Sequence, residues 1–169
     1  IYRWNYSQNN PIFVFKYNRM TKKSEDYILG VSDYELERLR FQHGVWKEST
    51  DVFFDKIGVK KGWKVLDVGS GPGFAAFDLR ERVGDSGAVT ALEQSEMFLD
   101  YFKSECTRNN LYNVHSVFSS VENAELMEHQ YDLIFVRWVI AFVPDPDVFL
   151  DKLMASLKPG GTIAIMDYS

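Results

Sequence analysis

The stretch Val65-Leu66-Asp67-Val68-Gly69-Ser70-Gly71-Pro72-Gly73-Phe74 runs an apolar strand through three alternate glycines and straight into a helical pattern. A strand that empties through glycines into a helix lets a ligand approach bare backbone, with the helix N-terminus facing it. Several nucleotide-binding families share such a loop, so its meaning depends on what lies downstream.

Downstream, strand and helix patterns alternate. The strand-like runs are Lys64–Val68, Ala88–Glu93, Val114–Phe118, Tyr131–Arg137 and Gly161–Asp167. Helical runs fall between them at Gly73–Val83, Ser95–Asn109 and Pro146–Leu157, with a short one near Val121–Glu128. This alternation predicts an α/β fold: a doubly wound, mostly parallel, Rossmann-like sheet with helices on both faces. Upstream, Ser32 and Asp33 open a helical pattern with Glu35 placed as in a capping box. Leu36, Leu39, Val45 and Trp46 recur at helical spacing, Gly44 reads as a break, and a second helix covers Glu48–Ile57. The chain thus divides into residues 1–19, an N-terminal helical cap over 20–60, and a core over 61–169.

Residues 1–19 have two readings. Met20-Thr21-Lys22-Lys23-Ser24-Glu25-Asp26 resembles an ordinary hydrophilic start, which would leave residues 1–19 as upstream sequence. The rival is a native extension with a short strand at Ile12–Phe15.

Composition narrows the partners. The formal net charge of −5 argues against nucleic acid. No apolar run reaches the roughly 20 residues that span a bilayer, and the first residues lack the order of a signal peptide. The lone Cys106 excludes an internal disulfide and a multi-cysteine metal site, and it suits a reducing, cytoplasmic setting.

In doubly wound sheets, ligands sit beyond the C-terminal strand ends, near the switch in strand order. That rule selects Asp67–Gly73, Glu93-Gln94, Ser119–Glu122 and Arg137-Trp138. Glu93, closing the second core strand, is placed to accept hydrogen bonds from the vicinal hydroxyls of a ribose. Met97 could pack its thioether on an adenine face or simply join the core. Asp67, an acid inside an apolar strand, needs partners: loop amides or an amino group of the ligand.

These residues resemble the class I S-adenosylmethionine-dependent methyltransferases. The likeness rests on the Asp67-Val-Gly-Ser-Gly-Pro-Gly73 loop, Glu93, the segment Tyr131-Asp-Leu-Ile-Phe-Val-Arg-Trp138, Val143-Pro-Asp-Pro146 and Leu157-Lys-Pro-Gly-Gly161. It covers about residues 27–169, with Tyr27-Ile-Leu-Gly30, Glu35, Leu36, Arg38, Leu39 and Gln42 similar to the cap of small-molecule members. The resemblance implies a methyltransferase that uses S-adenosyl-L-methionine and a small-molecule methyl acceptor. By the same resemblance Gly69, Ser70 and Gly71 line the methionine moiety, Glu93 holds the ribose, and Gln94 and Met97 flank the adenine. Arg137 and Trp138 border the sulfonium end. The family often places an acid after the third core strand, where this chain has Ser120. Glu122 could substitute, and the Val121 N–H could bond the ring.

Methyl displacement needs alignment and desolvation more than side-chain chemistry, so no catalytic residue and no metal ligand is assigned. His43, Tyr27 and Tyr34 lie in the cap within possible reach of an acceptor, or serve only as packing and surface groups. His129 falls at the wrong end of the sheet, and His115 and Cys106 read as structural. Two rivals stand beside this reading: an NAD-type oxidoreductase and a non-catalytic cofactor-binding domain. Gly69, Gly71 and Gly73 are spaced Gly-x-Gly-x-Gly, not Gly-x-Gly-x-x-Gly, and Lys158-Pro-Gly-Gly161 also disfavours the first. The chain stops after its fifth core strand, so that strand is expected to be an open edge with Ile163 and Ile165 under-covered, as in an incomplete domain.

Overall fold

A computed structural model describes residues 2–7, 10–17 and 33–168. The elements are β1 (Tyr2–Ser7), β2 (Asn10–Tyr17), α1 (Asp33–Ile57), β3 (Lys64–Val68), α2 (Phe74–Val83), β4 (Ala88–Glu93), α3 (Glu96–Arg108), β5 (Val114–Phe118), β6 (Tyr131–Arg137), α4 (Pro146–Ser156) and β7 (Leu157–Tyr168). Among the described residues they build one sheet in the order β1-β2-β7-β6-β3-β4-β5. From β2 to β5 each neighbouring pair is parallel, and β1 closes the sheet antiparallel to β2.

The chain winds outward through β3, β4 and β5, then returns to β6 on the other side of β3. The switch in strand order therefore lies between β3 and β6, which opens a crevice at their C-terminal ends.

The core strands are apolar on both faces because helices cover both. Val65, Val89, Ala91, Leu133, Phe135, Ala164 and Met166 face one way, against Phe53 and Phe54 of α1, Leu79 of α2 and Phe102 of α3. Leu66, Val68, Leu92, Ile134, Val136, Ile163 and Ile165 face the other way, against Phe149 and Leu153 of α4. Helix starts follow from the sequence: Ser95 Oγ accepts the Phe98 N–H, and Asp145 accepts from Asp147 and Val148 with Pro146 in the first turn. Asp132, in the segment opening β6, ties the opposite end of the sheet. It accepts the Lys64 N–H and the Lys158 ammonium, each at 2.7 Å. Two residues of the segments that carried the resemblance thus fasten three strands and take no part in the crevice.

Three local expectations are corrected. Gly44 does not break the cap, because α1 runs through it as one helix. A helix-interior glycine costs only about 1 kcal/mol, and the packing of Trp46, Thr50, Phe53 and Phe54 on the sheet outweighs that. Residues 121–128 form turns without a helix. Lys152 donates to the Val121 and Glu122 carbonyls, at 3.0 and 2.7 Å, and so takes acceptors that a helix would use. The fifth core strand is not an open edge. β2 pairs along it from Ile12↔Ile163 to Tyr17↔Tyr168, and Ile163 and Ile165 are buried. The strand-forming stretch Ile12–Phe15 lies within β2. Met20, Tyr27 and Ser32 lie outside the described residues.

Candidate functional site

Strand periodicity decides which side chains meet. Asp67 pairs in register with Phe135 on the neighbouring strand. Side chains two residues apart on a strand share a face, so Asp67 and Arg137 both point to the α1–α2 side. The crevice there measures about 1030 Å³, at the top of the usual range for small-molecule sites. One wall is the glycine loop with Glu93, Gln94 and Ser95. A second is Ser119–Glu122, a third is Arg137–Val139 with Ala141–Val143, and α1 supplies Glu35, Arg38, Leu39 and Gln42.

Of the residues selected from sequence, Asp67, Gly69, Ser70, Gly71, Glu93, Gln94, Ser120, Val121, Glu122 and Arg137 all line this crevice. Met97 does not. The phase of α3 brings Phe98 to the lining instead. Tyr34 is exposed and outside the lining, and His43 sits one layer behind it. His129 bonds the Leu157 carbonyl far from the crevice, and His115 is exposed on β5. Cys106 packs against the core, and burial pushes its thiol up to about 11.

The glycines divide by role. A Cβ on Gly69 would stand 2.5 Å from Val139 Cγ2, and one on Gly73 would stand 2.2 Å from the Phe102 ring. Those two positions are glycine because the core crowds them. At Gly71 the nearest atom among the described residues to such a Cβ is Leu39 Cδ1 at 4.0 Å, so of the three loop glycines Gly71 is the one that presents open backbone to the crevice.

The loop amides are spent within the protein. Gly69 and Ser70 donate to the Leu92 carbonyl, Gly73 to the Ser70 carbonyl, and Gly71 to Glu93 Oε2 at 2.8 Å. A pyrophosphate cradle needs such N–H groups aimed at the ligand. Here the loop offers a smooth surface next to a carboxylate. Glu93 Oε1 accepts from the Gln94 and Ser95 amides, at 2.9 and 2.8 Å, which fixes the carboxylate at the end of β4.

Asp67 is buried, and its Oδ2 has no hydrogen-bond partner among the described residues. Burial pushes its carboxyl up to about 7. Arg137 opposes this, Glu93 and Asp78 add to it, and a hydrogen bond from the Ala76 backbone lowers it slightly. A buried carboxyl oxygen that finds no partner among the described residues costs free energy, which a donor reaching this wall of the crevice would offset. Arg137 donates to Thr50 Oγ1 and to His43 Nδ1, both at 3.3 Å, and its guanidinium lies 4.7 Å from the Trp138 ring centre. Trp138 holds a left-handed backbone at φ 58°, a strained state for a bulky residue. Its N–H is tied to the Met166 carbonyl at 2.9 Å, and its ring meets Trp46 edge-on. On the far wall Asp167 accepts the Ile140 N–H at 3.0 Å, shaping the turn that carries Ala141–Val143.

The sequence reading missed Asp167, Phe98 and the Asp67–Ala76 link. Asp167 at the end of a core strand followed the same rule as Glu93 and could have been found by it.

Residues 59–169 match a family described as "Methyltransferase domain". This chain belongs to the class I S-adenosylmethionine-dependent methyltransferases. It is 28% identical over 160 residues to the ubiquinone/menaquinone biosynthesis C-methyltransferase UbiE of Vibrio campbellii, covering 92% of this chain and 61% of that protein. It is 30% identical over 128 residues to the demethylmenaquinone methyltransferase of Staphylococcus aureus, covering 76% and 51%. The chain thus spans about half to three-fifths of the length of these curated relatives. A crystal structure of an S-adenosylmethionine-dependent methyltransferase from Aquifex aeolicus superposes with a TM-score of 0.61 at 30% identity, covering 65% of this chain and 58% of that one. A methyltransferase structure from Methanococcus maripaludis, at 19% identity and a TM-score of 0.66, covers 87% of this chain and 68% of that one, and shares the fold. S-Adenosylmethionine is the family's cofactor, and an oxidoreductase is not favoured. No helix among the described residues is long and apolar enough to cross a membrane.

Proposed function

We propose that this chain is the cofactor-binding part of a methyltransferase that acts on a small, largely apolar acceptor of the quinol class. The observation that carries the reading is the pairing of two carboxylates around one open glycine. Among the described residues Asp67 Oδ2 is buried without a partner, and Glu93 is fixed beside Gly71. A ligand with an ammonium group at one end and vicinal hydroxyls in its middle satisfies both. S-Adenosylmethionine is such a ligand, and when bound it supplies a methyl group on an electrophilic sulfonium.

Asp67 would take the ammonium, Glu93 the ribose hydroxyls, and Gly71 the intervening chain without a side chain in the way. Gln94, Ser120, Val121, Glu122 and Phe98 would border the adenine. Leu39, Trp138, Val139, Ala141, Phe142 and Val143 line the remaining wall, which supports an apolar acceptor held dry and in line for displacement. The relatives' names, which specify quinone methylation, agree with that lining. The lone Cys106 supports a cytoplasmic setting.

Transfer of a labelled methyl group from S-adenosylmethionine tests this. A reduced naphthoquinone lacking the ring methyl should be labelled in preference to a small amine such as glycine. Labelling of the amine alone contradicts the acceptor class.

A further inference from the structure

His43 lies outside the crevice, yet it is enclosed by charged groups from three elements. Arg137 of β6 donates to its Nδ1 at 3.3 Å. Its Nε2 lies 3.3 Å from Asp78 Oδ2 of α2, off the line of a straight hydrogen bond. Within α1, Lys47 reaches Asp78 Oδ1 at 3.4 Å and Asp51 at 2.7 Å. The Phe74 ring packs against the imidazole with centres 5.5 Å apart.

The arrangement dictates the tautomer. A guanidinium only donates, so Nδ1 must carry a lone pair and the single proton sits on Nε2, facing Asp78. Burial, followed by the charges of Arg137 and Lys47, lowers the imidazole to about 4, so it stays neutral at physiological pH. A neutral acceptor at this point fixes a cation without competing with it.

We infer that His43 is a positioning residue of the ligand site: with Thr50 and Trp138 it holds the Arg137 guanidinium on the sheet face shared with the buried Asp67 carboxyl, where its charge favours the ionised form that takes the ligand's ammonium. The groups bearing on Asp67 are Arg137, which stabilises the anion, Glu93 and Asp78, which oppose it, and the Ala76 backbone hydrogen bond. The inference rests on the cofactor reading proposed above.

Three proteins separate this role from simple packing: wild type, His43→Phe, which keeps a ring against Phe74 but offers no acceptor, and His43→Asn, which restores an acceptor near Nδ1. Affinity for S-adenosylhomocysteine is measured by calorimetry across pH. In wild type it rises as Asp67 ionises. In His43→Phe that rise moves upward by as much as one pH unit, so affinity falls by up to about fivefold at neutrality and about tenfold near pH 6, and returns to within about twofold near pH 9. His43→Asn follows wild type. A His43→Phe profile that superimposes on wild type, or is displaced equally at every pH, overturns the inference. In the ligand-free protein, nitrogen shifts of the imidazole should show Nδ1 bare and Nε2 protonated, and a proton on Nδ1 overturns it independently. Wild type that shows the expected tautomer but binds no S-adenosylhomocysteine at any pH overturns the cofactor reading, and this role with it.

Discussion

Glu93 Oε2 accepts the Gly71 N–H at 2.8 Å, so the acid that closes β4 also sets the curvature of the loop that follows β3. The two strands are neighbours in the sheet, and the bond ties the loop after one to the end of the other. Replacing Glu93 with Gln keeps the volume but weakens charge-assisted bonds to three backbone amides and to the ligand's hydroxyls. A hydrogen bond to a charged group contributes about 1.5–3 kcal/mol, so affinity for S-adenosylhomocysteine should fall on the order of 10- to 100-fold. Calorimetric titration of the variant checks this.

Gly71 and Gly73 should fail in different ways. Gly73→Ala drives a methyl group into Phe102 at a left-handed backbone of φ 85° and should lower unfolding stability by about 2–4 kcal/mol. Gly71→Ala adds a methyl group facing the open crevice, so the main loss should be in ligand affinity, with a smaller stability cost of about 1 kcal/mol. Urea unfolding and ligand titration of both variants distinguish the two.

Stability should depend on pH with opposite signs at the buried Asp67 and the half-buried His43. The Asp67 carboxyl is raised from 3.8 to about 7 in the fold, so the native state binds the extra proton and stability falls as pH rises across that interval. The His43 imidazole is lowered from 6.5 to about 4, so the unfolded state binds the extra proton and stability rises with pH over that window. The two largely cancel below about pH 6.5, leaving a net decline toward and just above neutrality. Asp67→Asn should therefore gain stability relative to wild type as pH increases from 4 to 8, while losing ligand affinity. Urea melts of both proteins at a series of pH values test the sign.

The β1–β2 hairpin should be a structural part of the sheet. Removing residues 1–17 unpairs the outer ladder of β7 and uncovers the side of Ile163 and Ile165. An exposed apolar edge strand invites association between chains. The shortened chain should unfold at lower urea and scatter light at concentrations where the full chain stays monodisperse.

What could be read from the sequence, and what could not, follows from the range of the interactions. The bounds of β3, β4 and β6 coincide with the apolar runs, because buried parallel strands advertise themselves residue by residue, while the exposed edge strand β5 is legible from its place in the strand–helix alternation. The convergence of Asp67, Glu93, Ser120 and Arg137 followed from one topological rule applied to those strands. Met97 is not among the lining residues because the phase of α3, set by the Ser95 cap, brings Phe98 to the wall. The link between His43 and Arg137 joins a helix and a strand residue 94 positions apart, and no local pattern marks it. The pairing of β2 with β7 is likewise non-local, since a short strand does not name its neighbour.

The central claim is that the crevice between β3 and β6 is built for S-adenosylmethionine and not for a dinucleotide. Titration of the protein with S-adenosylhomocysteine and, separately, with NADH tests it most directly. The structure predicts saturable, one-to-one binding of S-adenosylhomocysteine that is weakened in Glu93→Gln, and no binding of NADH. Saturable NADH binding without S-adenosylhomocysteine binding would contradict it.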